Sequence, residues 1–168
     1  ANLIDTVHNQ GLSFDRLTDL VPEEYAVHWQ ETLKFLQIIT EYWPQILAER
    51  QLIDASDRRN RLLRAQIDLW RQNPPVKRIV AAGTTAAFPL MKELVKTVLS
   101  LEKGELYLAG IDKFLEDEAW EKIDETHPQH ELKELLDYLT VRREDIPDLQ
   151  APENFGREVL ISEVMRPA

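Results

Sequence analysis

Cysteine is absent from this chain, so neither a disulfide framework nor a thiolate metal site can be built from it, which fits a reducing cytoplasm. Long apolar runs are absent as well. None approaches the ~20 residues that span a bilayer, and no membrane partner is expected. Cations are in the minority, 20 Lys and Arg against 30 Asp and Glu, for a net charge of −10. That balance argues against indiscriminate nucleic-acid binding by the whole chain and leaves room for a local basic patch. The opening ANLIDTVHNQ carries no basic n-region and no cleavage pattern, so no signal peptide is expected. What is present is 168 residues, 43% of them hydrophobic, enough for one packed domain or two small subdomains. The chain opens almost inside an amphipathic segment, Leu3, Ile4 and Val7, and closes on the helical pattern GREVLISEVMRPA, as a piece of a longer protein would.

Residues 1 to 22 read as two short helices broken at Gly11. In LVPEE, Leu20 to Glu24, a proline and two acids make a helix start. Tyr25, Trp29, Leu33, Leu36, Ile39, Trp43 and Ile46 follow at spacings of three and four, one broad apolar stripe on a long helix. Its two tryptophans have the chemistry of a base-stacking surface, but helical spacing assigns them to a core. Pro44 is expected to bend or break the helix near its end. Asp54 is expected to cap the next helix, about 55 to 72, with Asp57 in its first turn. Leu62, Leu63, Ile67 and Trp70 form its expected buried side, with Arg61, Arg64, Asp68 and Arg71 opposite. Asp57 with Arg61, and Arg64 with Asp68, are i,i+4 pairs, each contributing ~0.2–0.5 kcal/mol. A solvated, salt-bridged face accounts for these charges. The functional alternative is a phosphate-tracking patch, since seven basic residues stand against two acids from Asp57 to Arg78.

The pattern changes at QNPPVK. Residues 76 to 82 read as a short strand ended by Gly83, and GELYLAG as a second strand ended by Gly110. Between them, Leu90, Met91, Leu94, Val95, Val98 and Leu99 give a helix its core face, with Pro89 in the first turn. Two strands joined by a helix are expected to run parallel with a right-handed crossover. The expected fold class is therefore α/β: mostly helical, with a small parallel β-α-β unit and a helical subdomain, divided as residues 1–73 and 74–168. A lone parallel pair is little sheet to stand alone. Either further strands lie in a longer protein, or the helical remainder covers both edges. LEDEAWEKI and HELKELLDYLTV read as helices, VRREDIPDLQAPENFG as a Pro-rich acidic connector, and Arg157 to Met165 as the last helix.

Ligands of open α/β sheets bind at the carboxyl ends of strands, which directs attention to Gly83–Phe88 and Gly110–Lys113. A phosphate-binding P-loop needs several glycines, a Lys and a Ser/Thr for Mg²⁺. The first turn has one Gly and no Lys, and a dinucleotide G-x-G-x-x-G is also missing. What remains is a helix N-terminus with two hydroxyls, Thr84 and Thr85, able to accept one phosphate or simply to cap the helix. RIVAAG supplies no carboxylate for a metal, and Asp112 alone follows the second strand. His127 and His130 have H-x-x-H spacing, but Pro128 disfavours a continuous helix and no third ligand accompanies them, so no metal is expected. His8 and His28 have no Ser or Cys partner at readable spacing, and no nucleophile–base pair is evident.

The run EEYAVHWQETLKFLQIITEYWPQILAERQLIDASDRRNRLLRAQIDLWRQNPPVKRIVAAGTTAAFPLMKELVKTVLSL resembles the AddB-subunit family of bacterial AddAB-type helicase–nucleases. So do GELYLAGIDKFLEDEAWEKI, HPQHELKELLDYL and ISEVMRPA, and together they cover most of the chain. The resemblance implies recombinational repair of double-strand breaks, in which an AddA-type partner and the AddB subunit unwind and resect DNA ends. It implies a helicase-like front half, a RecA-like subdomain interrupted by a helical one, that grips single-stranded DNA. ATP, Mg and, in some members, an iron–sulfur cluster belong to the parent family. Residues 1 to 73 then correspond to part of the helical insert, and 76 to 110 to a partial RecA-like, P-loop-like sheet. Ala81 and Ala82 stand where an active helicase carries Mg²⁺-binding acids, and the chain contains no P-loop, nuclease motif or cysteine cluster. No cofactor is therefore expected here, and DNA contact rather than catalysis is carried over. The candidate phosphate contacts are Thr84 and Thr85, followed by Arg58, Arg59, Arg61 and Arg64. Two other functions fit the residues: a small nucleotide-dependent hydrolase using Asp112 and the threonine turn, and a helical module that docks a protein partner.

Overall fold

The computed structural model describes residues 2–12, 36–150 and 154–167. The second opening helix and the early stripe residues Tyr25, Trp29 and Leu33 lie outside the described residues. The chain groups into two compact units, residues 1–69 with 88–90, and residues 70–87 with 91–168.

In the first unit, α1 (Asn2–Asn9) stops short of Gly11, whose φ of +66° is left-handed. A π turn, Ile38–Tyr42, leads directly into α2 (Trp43–Glu49), and Pro44 sits in the first turn of that helix. Proline has no N–H to give to the preceding turn, and widening the ladder by one residue is how a helix accommodates that loss. The expected disturbance at Pro44 thus falls on its N-terminal side. Trp43 and Ile46 retain 39% and 40% exposure, so this end of the stripe is a half-covered surface rather than the interior that its spacing suggested.

Helix α3 (Ala55–Gln72) is capped as its sequence dictates. The Asp54 carboxylate accepts hydrogen bonds from the Ser56 amide at 2.9 Å and the Ser56 hydroxyl at 2.7 Å. Its inward stripe is Ser56, Leu63, Ile67 and Trp70, with Ser56 and Ile67 buried and Leu63 and Trp70 half-buried. Leu62 was expected on this stripe but is 60% exposed. Adjacent helical residues diverge by about 100°, and Leu63 already occupies the inward position. The Ser56 hydroxyl bond, ahead of its amide bond and against the effect of burial, holds the Asp54 carboxyl below the ordinary carboxylate range. A depressed folded pKa stabilises the fold above the unfolded carboxyl's titration and loses that effect as pH falls through the folded value. Asp54→Ala is expected to cost about 1 kcal/mol at neutral pH. In urea titrations the gap between variant and parent should narrow as pH falls below the ordinary carboxylate range; an equal gap at neutral and acid pH would remove the charged cap.

In the second unit, β1 (Ile79–Ala82) and β2 (Gly104–Tyr107) form a two-stranded parallel sheet, with Ile79 paired to Gly104 and Ala82 to Tyr107. Helix α4 (Pro89–Leu99) makes the crossover. Among the described residues the chain is mostly helical with one small parallel sheet, an α/β arrangement. Strand β1 begins three residues later than its apolar run suggests: Val76 is 84% exposed and follows two prolines that cannot donate to a ladder. Strand β2 likewise ends at Tyr107 rather than Gly110.

Side chains of Ile79 and Ala81 face inward and are half-buried, whereas Val80 and Ala82 are exposed. On the outer face Arg78 holds the Glu105 carboxylate and donates to the Tyr107 hydroxyl at 3.1 Å, and that hydroxyl donates to Glu105 at 2.7 Å. The Arg78 bond draws the Glu105 carboxyl below its usual range, and the bond to Glu105 pushes the Tyr107 phenol up.

Three more helices follow, α5 (Asp117–Glu121), α6 (His130–Leu139) and α7 (Phe155–Val164), with a 3-10 turn at Arg143–Asp145. One core cluster joins Ala86, Val95 and Leu135, packed by Met91 and Leu106. A second joins Leu115, Ala119, Trp120, Ile123 and Leu136, and Leu108 packs against both. Leu99, expected on the α4 core face, is 40% exposed at the last helical position.

Candidate functional site

The turn after β1 is built by local backbone chemistry. Gly83 takes φ +68° and Ala86 φ +52°, and Ala86 is buried in the core cluster at 1% exposure. Thr84 Oγ1 accepts from the Ala86 amide at 3.0 Å, a tight hydroxyl turn. Thr85 donates its hydroxyl to the Glu131 carboxylate on α6. Neither threonine caps α4, because that helix begins at Pro89, beyond their reach and with no N–H at its first residue. A carboxylate therefore stands against one of the two hydroxyls considered for a phosphate. With one glycine, no lysine and Ala81–Ala82 at the strand end, these residues do not fit a magnesium–nucleotide.

The four arginines share helix α3, in the first unit, whereas Thr84 and Thr85 belong to the second. All four are exposed. Arg61 pairs with Asp57 at 2.8 Å, as its i,i+4 spacing predicts. The expected Arg64–Asp68 pair is not formed, and the side chains of Arg58 and Arg64 have no hydrogen-bond or ionic partner among the described residues. Arg59 reaches Asn9 on α1 and lies 5.0 Å over the Phe88 ring, a cation–π contact. Beside them a shallow hollow of about 430 Å³ is lined by Arg58, Arg59, Leu62 and Gln66 among others.

His8 has a serine partner, though not at a spacing readable in the sequence. His8 Nδ1 lies 2.8 Å from Ser56 Oγ, across 48 residues that no local spacing rule connects. The Ser56 hydroxyl spends its proton on Asp54 and is 4% exposed, so His8 supplies the proton to Oγ and the serine is no nucleophile. The three residues extend the α3 cap toward α1.

The carboxyl end of β2 opens on a cleft of about 390 Å³, bounded by Gly110–Asp112, the turn at His127–Gln129, and Glu158, Ile161 and Ser162 of α7. Gly110, with φ +75°, turns the chain out of the sheet. The Gln129 side chain holds the loop at two points, donating to the Gly110 carbonyl at 2.8 Å and accepting from the Asp112 amide at 3.2 Å. Asp112 Oδ1 accepts from the amides of Phe114 and Leu115 at 2.9 and 3.0 Å. Behind it, Arg143 is 8% exposed, lies 4.9 Å over the Trp120 ring, and donates to Asp117 at 2.5 Å and to the Asp112 carbonyl at 3.3 Å. Arg143 lies in the stretch read from sequence as a Pro-rich acidic connector, and its guanidinium pins this loop from beneath. Helix α7 is fastened by the Phe114–Phe155 edge-to-face contact at 5.0 Å, by Arg166 with Glu116, and by His127 Nε2 against the Met165 carbonyl at 2.7 Å.

Among the described residues no group of three His, Asp or Glu side chains is placed to hold a metal ion, and no helix is long and apolar enough to cross a membrane. No protein-family model, no curated protein and no solved structure matches this chain.

Proposed function

We propose that this chain is a non-catalytic, helicase-like segment of an AddB-type subunit, which contacts single-stranded DNA and an AddA-type partner in the cytoplasm during double-strand break repair. The observation that carries the reading is the parallel β1–α4–β2 unit. Its parallel strand–helix–strand path supports a RecA-like reading, while its turn carries alanines and neutral hydroxyls, one of them held by Glu131. Residues 1–73 are read as part of the helical insert and residues 74–168 as the partial RecA-like subdomain with its helical extension. Arg58 and Arg64, with side chains exposed and without partners among the described residues, are the best placed of the four arginines to take phosphates. Thr84 is the better hydroxyl of the pair, since Thr85 faces a carboxylate.

The test is fluorescence anisotropy of the chain with a labelled single-stranded oligonucleotide between about 50 and 200 mM salt. Affinity should fall steeply with salt, and an Arg58→Ala/Arg64→Ala double variant should flatten the logarithmic slope by roughly 0.7 per lost phosphate contact. A chain that binds no oligonucleotide at the lowest salt has no DNA role on its own. A second reading, a helical docking module, is favoured by Leu160 and Val164 on α7, 62% and 72% exposed. It requires concentration-dependent light scattering in place of DNA binding.

A further inference from the structure

We propose that the cleft at the carboxyl end of β2 is a binding site for an alkylammonium group carried on an apolar stem. The argument starts from which polar atoms are already committed. Both His127 nitrogens are used: Nδ1 accepts from the Gln129 amide at 3.0 Å, so the proton sits on Nε2, which faces the Met165 carbonyl. The Gln129 amide spans Gly110 and Asp112, and one oxygen of Asp112 is taken by two backbone amides.

What is left over accepts rather than donates. The second carboxylate oxygen of Asp112 has no partner among the described residues, and neither has the Glu158 carboxylate. Ser162, one turn along α7 from Glu158, is only 3% exposed, lines the cleft, and its side chain makes no hydrogen bond among the described residues. Its hydroxyl has no side-chain partner among the described residues and is free to bond a group held in the cleft. Phe114, Ile161 and Met165 give apolar walls, and no lysine or arginine lines the space. Two carboxylates and a free hydroxyl over apolar walls suit a cation with a short hydrocarbon tail and repel a phosphate. The site therefore lies where a nucleotide-using sheet would hold its ligand, with the opposite charge preference. The inference is independent of the DNA reading.

The ammonium group has two possible sources, a free amine or a lysine side chain on a partner segment. Both are tested by ¹H–¹⁵N NMR titration of the full chain with pentylammonium chloride, with the peptide acetyl-Ala-Lys-Ala-amide, and with pentanol as the neutral comparator. The amides of Gly110, Ile111 and Ser162 should shift with a dissociation constant on the order of a millimolar. Pentanol should bind roughly tenfold more weakly. Glu158→Gln, at an exposed and unpaired side chain, should weaken the cation about threefold and leave pentanol unchanged. Ser162→Leu should fill the cleft and abolish the shifts; where it unfolds the chain, Glu158→Gln carries the test. Saturation by the peptide alone assigns the site to a partner's lysine, and saturation by the amine assigns it to free amines. Equal binding of pentanol, an unchanged Glu158→Gln, or no shift with either cation overturns the proposal.

Discussion

Gly104→Ala is expected to destabilise the second unit by about 3 kcal/mol or more, enough to leave much of the protein unfolded at moderate temperature. A Cβ at this position would lie 1.7 Å from the Val98 carbonyl oxygen and 2.7 Å from its carbon. Both are backbone atoms in the last turn of α4, and they have no rotamer into which to retreat. The Gly104 amide also donates to the Leu101 carbonyl at 3.1 Å, so relieving the clash breaks the link that delivers the chain from helix to strand. Gly110→Ala makes the comparison. Nothing lies within 4 Å of a Cβ there, and only the left-handed φ of +75° is strained, a cost of about 1–2 kcal/mol. Urea denaturation followed by circular dichroism should rank the two in that order. A Gly104→Ala midpoint close to the parent's would mean that the helix-to-strand corner yields, and the argument from backbone contact would be lost.

Leu135→Ala should rank second, at about 2–5 kcal/mol. Leu135 is fully buried and packs in one cluster with Val95 of α4 and Ala86 of the turn after β1. Close-packed interiors relax little around a deletion, so most of the transfer and cavity cost is retained. The effect should also reach the turn, because Ala86, at φ +52°, packs in the same cluster as Leu135. Amide hydrogen exchange at Thr84–Ala86 should rise more in Leu135→Ala than in Leu136→Ala, which empties the other cluster. A shifted midpoint with an unchanged denaturant slope is the signature required; equal exchange in the two variants would show that the turn does not lean on Leu135.

Much of the scaffold was legible before any coordinates. Asp54 ahead of a helical run with Asp57 in its first turn, glycines after two apolar runs, and stripes at spacings of three and four are local rules, and local rules produced the cap, the turns and the helices. Errors arose where two local signals competed or where a partner was distant. Leu62 and Leu63 both look like core residues, and only one can face inward. Val76 looks like strand until the missing donors of Pro74 and Pro75 are counted. The His8–Ser56 contact and the burial of Arg143 over Trp120 join residues far apart in the chain, and nothing in their flanking residues announces them. The cleft was legible only in part. Gly110 to Lys113 stood out as the end of a strand, but Ser162 arrives from the last helix, and its side chain's lack of a hydrogen-bond partner is a property of packing alone.

The surface clasp of Arg78, Glu105 and Tyr107 has a consequence for how the two strands find each other. Ile-Val-Ala-Ala reads nearly the same when slid by one position, so grease alone hardly chooses between alignments. A slide by one residue, however, turns Arg78 to the opposite face and strands both of its companions. Alignment of this sheet is thus encoded in charge on its wet side, and added electrolyte should blur the pairing while leaving the oily interior as it was.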